Sequence, residues 1–167
     1  MHKRLTLAIS AALICISTVQ AQNADSEKEV TAIEDTTDEI QMEATQCWAY
    51  FEFVKHCSEN SKRPDVAKGA EDSRKSAMKV AFLYGTTRHM TADAMTSRFK
   101  MAMDEQKELM ANSCVNLASL YVRYGKSCKE LIEHPDVAYK ERICARAKGS
   151  DYCQVLRAMG DSRSPRQ

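Results

Sequence analysis

Cysteine is the residue type that most constrains this chain. Cys47, Cys57, Cys114, Cys128, Cys144 and Cys153 all lie beyond residue 46, and the seventh cysteine, Cys15, sits in an apolar N-terminal stretch. Lys3 and Arg4 precede that stretch, which runs from Leu5 to Ser17, and Val19-Gln20-Ala21 follows with a small residue on either side of Gln20. A basic start, a short apolar run and a small-x-small site make residues 1–21 a secretory signal peptide. The run is too short for a stable membrane span. Ile14 stands before Cys15 where a lipoprotein signal requires a small residue, so Cys15 is expected to leave with the signal and the mature chain to begin at Gln22. Six cysteines in an exported chain read as a disulfide framework, formed in a bacterial periplasm or outside the cell. The short signal led by Lys and Arg points to bacterial export.

Charge divides the mature chain. Residues 22–46 hold eight acids and one base, a balance of −7, whereas the chain from Cys47 onward carries +6. Apolar residues are sparse over 22–41, so this stretch is expected to be an acidic, disordered leader. Two readings of the leader follow: a solubility tail, or an acidic segment that shields a basic surface of its own chain.

Helical periodicity accounts for the rest. Trp48, Phe51, Val54 and Lys55 recur at helical spacing, which predicts a first helix from Met42 to Glu59. Pro64 suits the first position of a second helix, which Gly85 should end in a left-handed cap. Thr91 is a suitable N-cap for a third helix running to Gly125, with Met95, Phe99, Ala102/Met103, Met110, Cys114, Leu117, Leu120/Tyr121 and Tyr124 on one face. Pro135 should open a fourth helix closed by Gly149, and Ser150 should cap a fifth that ends at Gly160. No alternating pattern of strand type competes. The expectation is an all-α, disulfide-stapled bundle of four to five helices over 42–160, with a flexible tail over 161–167.

Helices restrict the disulfide pairing. Ten residues separate Cys47 from Cys57, about 15 Å along a helix axis. That is beyond the roughly 7 Å that bridged Cα atoms span. Cys114 and Cys128 share a face, fourteen residues apart. An antiparallel pairing of the first and third helices joins Cys47 to Cys128 and Cys57 to Cys114, with a four-residue mismatch to be absorbed after Gly125. Cys144 and Cys153 then pair across the turn at Gly149; the alternative swaps one member, for example Cys57 with Cys128 and Cys47 with the C-terminal pair.

Chemistry-bearing motifs are scarce. GxGxxG, GxxxxGK[ST], HExxH, GxSxG and CxxC are all absent, which removes the usual signals of nucleotide binding, zincin chemistry and thiol exchange. His56 precedes Cys57, but adjacent helical residues point about 100° apart, so the pair reads as a disulfide beside a surface histidine. Asp104, Glu105 and Glu108 read as a solvated helix face. Methionines cluster from Met78 to Met110, and thioethers are soft ligands suited to Cu(I). His89, Met90 and Met95 would be the ligands of such a site, although Met95 and Met110 also fall on the core stripe. Lys140, Arg142, Arg146, Lys148, Arg157, Arg163 and Arg166 make the C-terminal region basic and suited to an acidic partner or anionic lipid. Trp48, Tyr50, Phe51 and Phe53 crowd the first helix nearly all round. That means burial between several helices, or an apolar face for a partner or a second copy.

Cys47-Trp-Ala-Tyr-Phe, and the run Leu120-Tyr-Val-Arg-Tyr-Gly-Lys-Ser-Cys-Lys-Glu-Leu-Ile-Glu-His-Pro135, resemble uncharacterised small exported helical proteins of proteobacteria. The opening cysteine and aromatic run also resembles the helical immunity proteins that neutralise type VI amidase effectors, the Rap1a/Tai group. The first resemblance implies a helical fold and a periplasmic address, the second an inhibitory protein partner. The sequence is therefore read as a periplasmic or secreted, non-enzymatic binding protein without catalytic residues or cofactor. Its partner is a protein and not nucleic acid, and no membrane span remains after cleavage. The alternative is a periplasmic copper-handling protein using His89 and the methionines.

Overall fold

A computed structural model describes the backbone from Leu5 to Asp161 and the side chains of residues 26–156 and 158. Residues 1–4 and the tail beyond Asp161 lie outside the residues so described, and of the expected signal segment only the backbone from Leu5 is described. Six helices follow one another: α1 Leu5–Asn60, α2 Pro64–Thr87, α3 Ala92–Leu109, α4 Leu117–Glu133, α5 Pro135–Arg146 and α6 Asp151–Asp161, with a single 3-10 turn at Cys114–Asn116 before α4. No strand occurs among the described residues. The chain forms two compact units, residues 34–142 and residues 1–33 with 143–167, the division falling inside α1 and inside α5.

In the larger unit α1 is a central mast. Glu52 and Lys55 pair with Arg74 and Glu71 of α2, while Glu34 and Asp38 pair with Arg88 just past its end, so α2 runs antiparallel to α1. Gln41 and Gln46 meet Arg98 and Gln106, so α3 runs parallel to it. Cys47 and Cys57 are bonded to Cys128 and Cys114, so the chain through α4 runs antiparallel again. Glu39 and Glu43 meet Arg142 of α5. This ringed position explains the aromatics round the mast. Tyr50 is buried, and Trp48, Phe51, Phe53 and Val54 pack against a core of Ile40, Ala44, Cys47, Ala77, Val80, Ala81, Met110, Leu120, Cys128 and Leu131. Trp48, Phe51, Phe53 and Val54 keep part of their surface open, and Met42 on the same helix is 55% exposed.

The acidic leader is a correction. Residues 26–41 are helical and continuous with α1, and Ala32, Thr36, Thr37, Ile40 and Gln41 are buried. Threonine, glutamine and alanine count as polar or weakly apolar in composition, yet every third or fourth one here faces inward. The carboxylates between them are held by arginines distant in sequence, which no local pattern reveals.

Helix ends form a second set of corrections. α2 continues past Gly85 to Thr87, and His89 takes the left-handed conformation at φ 52°. Its neighbour Met90 N–H donates to Gly85 O at 3.0 Å, closing a Schellman motif. The same motif ends α1 at Lys62 (φ 57°), with Arg63 N–H donating to Ser58 O, and ends α3 at Ala111 (φ 48°), with Asn112 N–H donating to Lys107 O. Three helices thus stop at non-glycine left-handed residues. Gly125, expected to end the third helix, lies inside α4, where a Cβ would stand 3.0 Å from the Tyr121 ring. Gly85 makes room for Met95, whose Sδ would lie 2.8 Å from a Cβ there. Only Gly149 (φ 84°), among the described glycines, performs the expected turn. The long third helix is instead two, broken at Ala111-Asn112 and the 3-10 turn. The break falls beside Cys114, and α4 runs on unbroken through Gly125 and Cys128.

The smaller unit contains the end of α5 and α6. Ile143, Cys144, Ala147, Cys153 and Leu156 are buried there, and Ser150 Oγ accepts from Cys153 N–H at 3.3 Å as the expected cap of α6.

Candidate interaction surface

The cysteines meet in the three pairs that the antiparallel register requires. Cα atoms lie 5.2 Å apart for Cys47–Cys128, 5.5 Å for Cys57–Cys114 and 5.3 Å for Cys144–Cys153. The consequence for function concerns α4. Cys114, just before it, and Cys128, within it, are both bonded to α1, so its residues 117–127 lie between two covalent ties. Leu117, Leu120, Cys128 and Leu131 form its inner face. On the other side Val115, Tyr121 and Val122 are 88%, 68% and 84% exposed. Large apolar side chains this open, on an element this restrained, form a candidate contact surface. Tyr121 lies against Gly125, and the hydroxyl of buried Tyr50 approaches the same glycine.

Arg123 borders this surface. Its guanidinium stands 5.4 Å from the Tyr124 ring centroid and donates to Glu105 Oε1 at 3.3 Å. Glu105 also accepts from Tyr124 Oη at 3.3 Å and from Gln46 Nε2 at 2.8 Å. Behind it, Gln106 Nε2 donates to both the backbone and the side-chain oxygen of Gln46, at 2.8 and 2.9 Å. Burial is the first cause that pushes the Tyr124 hydroxyl up, and the Glu105 charge adds to it. Glu105 is therefore a structural anchor between α1, α3 and α4, whereas Asp104 and Glu108 are exposed as the sequence reading expects. Trp48 Nε1 and Gln106 Oε1 are buried without a hydrogen-bond partner among the described residues.

On the opposite flank Arg74 is the centre of a charge cluster. It forks onto Glu71 at 2.9 and 3.0 Å, reaches Glu52 at 3.1 Å and lies 5.9 Å from the Trp48 ring, which meets Phe99 edge-on at 4.9 Å. Hydrogen bonds from Arg74, then Lys55, hold the Glu71 carboxyl down at about 2. Every charge in the cluster is matched, so it reads as a brace between α1 and α2.

The remaining candidate residues are dispersed. Cys57 is in a disulfide, and exposed His56 bonds Asn60. Met95 and Met110 are buried in packing, Met101 is exposed and so is His89. Among the described residues no group of three or more His, Cys, Asp or Glu can hold a metal ion, and the structure gives the copper reading no support. No described helix is long and apolar enough to cross a membrane. Of the C-terminal cations, Arg142 faces Glu39 and Glu43. The sequence reading missed the outer face of α4 because Tyr121 was grouped with the core stripe. The spacing of Leu117, Leu120, Cys128 and Leu131 puts Val122 off that stripe but leaves Tyr121 about 20° from Cys128, so packing and not period decides the exposure of Tyr121.

Comparison with protein-family models, curated proteins and solved structures finds no match to this chain.

Proposed function

We propose that this is an exported, non-enzymatic binding protein that docks a protein partner on α4, in the manner of an inhibitor or immunity-type protein. The observation that carries the reading is the exposure of Val115, in the turn before α4, and of Tyr121 and Val122 on α4, all between the two cysteines bonded to α1. A rigid element loses little conformational freedom on docking. Tyrosine and arginine, both present here, are the residue types that most often dominate interface energetics. Three disulfides among the described residues favour an oxidising compartment, in line with the N-terminal signal pattern.

The test is a periplasmic pull-down under gentle conditions with the unaltered chain and with a Tyr121→Ser/Val122→Asp variant. The partner recovered by the unaltered chain should be lost from the variant, while the circular dichroism spectrum and disulfide map stay the same. Retention of the same partner by the folded variant would move the interface elsewhere, and repeated failure of the unaltered chain to hold any partner would count against binding as its role.

A further inference from the structure

We propose that residues 34–46, the acidic turns of α1 within the larger unit, form a displaceable ionic strap with a built-in boundary at Cys47. Two stretches of the same helix are held in contrasting ways. Residues 47–57 carry both long-range disulfides and the aromatic residues Trp48, Tyr50, Phe51 and Phe53. Residues 34–46 carry no cysteine, and their buried positions are Thr36, Thr37, Ile40, Gln41, Ala44 and Thr45, of which Ile40 alone is large and aliphatic.

Charges hold the strap from three other elements. Arg88, just past α2, reaches Glu34 at 2.9 Å and Asp38 at 3.5 Å. Arg142 of α5 forks onto Glu39 and Glu43, and Arg98 of α3 donates to Gln41 Oε1. The acids at 34, 38, 39 and 43 thus meet cations on more than one side of the helix, and these pairs are partly open to solvent. Salt screens partly exposed pairs, whereas it leaves disulfides and aromatic packing untouched. Local opening follows the least stable cooperative segment, and here the nearest covalent tie is Cys47. Release of the strap withdraws Gln41, whose Cγ lies 3.7 Å from where a Gly85 Cβ would stand, from Gly85 and Met95, and parts Arg88, Arg98 and Arg142 from their partners on the strap. The acidic segment thereby covers a basic surface of its own chain, and ionic conditions govern the cover. This inference is independent of the α4 surface.

Hydrogen–deuterium exchange on the intact mature protein tests it, at one pH, in about 20 mM and about 500 mM NaCl. Amides of 34–46 should exchange roughly tenfold faster in high salt, as expected when several weak pairs are screened together, while those of 47–57 stay unchanged. Arg142→Gln should reproduce the effect at low salt, and the full charge swap, Arg142→Glu with Glu39→Arg and Glu43→Arg, should restore much of the protection. Exchange of 34–46 that ignores salt, or that changes in step with 47–57, would overturn the strap. The salt series on the unaltered chain decides the matter even if a variant fails to fold.

Discussion

At the residue scale two glycines show how the same atom deletion serves opposite needs. A Cβ on Gly85 would press on the Met95 sulfur at 2.8 Å, and Met95 is itself buried with Gln41 nearby. A Cβ on Gly125 would meet the Tyr121 ring at 3.0 Å, but Tyr121 is exposed and can swing outward. Alanine gains roughly 0.5–1 kcal/mol over glycine inside a helix. Gly125→Ala should therefore stabilise the fold by up to about 1 kcal/mol. Gly85→Ala should lower stability by about 1 kcal/mol, because the cost of overpacking, about 1–3 kcal/mol, outweighs the helix gain. Urea denaturation of the two variants checks the contrast. Tyr84 makes a prediction in pH. Burial comes first, then the neighbouring Tyr139 and Asp136, in pushing its hydroxyl up to about 12 from 10.0. The folded chain holds the phenol neutral where the unfolded chain ionises it. That contribution is complete below pH 10 and is lost as pH rises from 10 towards 12. Stability should fall over that window, and Tyr84→Phe should make the fall shallower in urea melts taken at pH 8 to 11.

At the element scale the helix ends are where local sequence and tertiary structure disagree. His89, Lys62 and Ala111 occupy left-handed positions that glycine adopts without strain. Ala111 is the clearest case, since it has no polar side chain to offset the strain and is exposed. The left-handed conformation costs a residue with a Cβ about 1–2 kcal/mol, whereas glycine adds unfolded-state entropy of roughly 0.5–1 kcal/mol. Ala111→Gly should therefore raise stability by up to about 1 kcal/mol, read as a higher urea midpoint with the same slope. A lower midpoint would mean that the break between α3 and α4 depends on the alanine methyl. The capping residues Thr91 and Ser150 were visible in the sequence because a side-chain oxygen and a following N–H act locally: Thr91 Oγ1 accepts from Ala94 N–H at 3.2 Å. The stops at His89 and Ala111 were not visible, because nothing local favours them. Met95 and Met110 are buried beside these two breaks, and the staple at Cys114 follows closely.

At the scale of the whole molecule the disulfides should rank by the chain they enclose. The bridges span 81, 57 and 9 residues. In the loop-entropy picture their removal costs about 4.5, 4 and 2.5 kcal/mol respectively, less any strain relieved. Paired Cys→Ala variants should follow that order in thermal melts, and non-reducing peptide mapping should recover Cys47 with Cys128 and Cys57 with Cys114. A larger loss from the Cys144–Cys153 pair would mean that α6 contributes more to the fold than its short loop implies. The sequence by itself determined the helical class, most helix starts and the cysteine register. Period, capping and the fixed rise of a helix are local properties, and two staples on one helix leave few antiparallel solutions. Tertiary structure decided the rest. It ordered residues 26–41, because Arg88 and Arg142 come from distant parts of the chain to meet carboxylates that in isolation would remain solvated. It set Glu105 as an anchor and left Tyr121 and Val122 outside, because which side of an amphipathic helix is covered depends on the number of neighbours it has. α1 takes contacts from α2, α3, α4 and α5, whereas α4 is open over Tyr121 and Val122, and that difference in packing puts Tyr50 in the core and leaves Tyr121 on the surface.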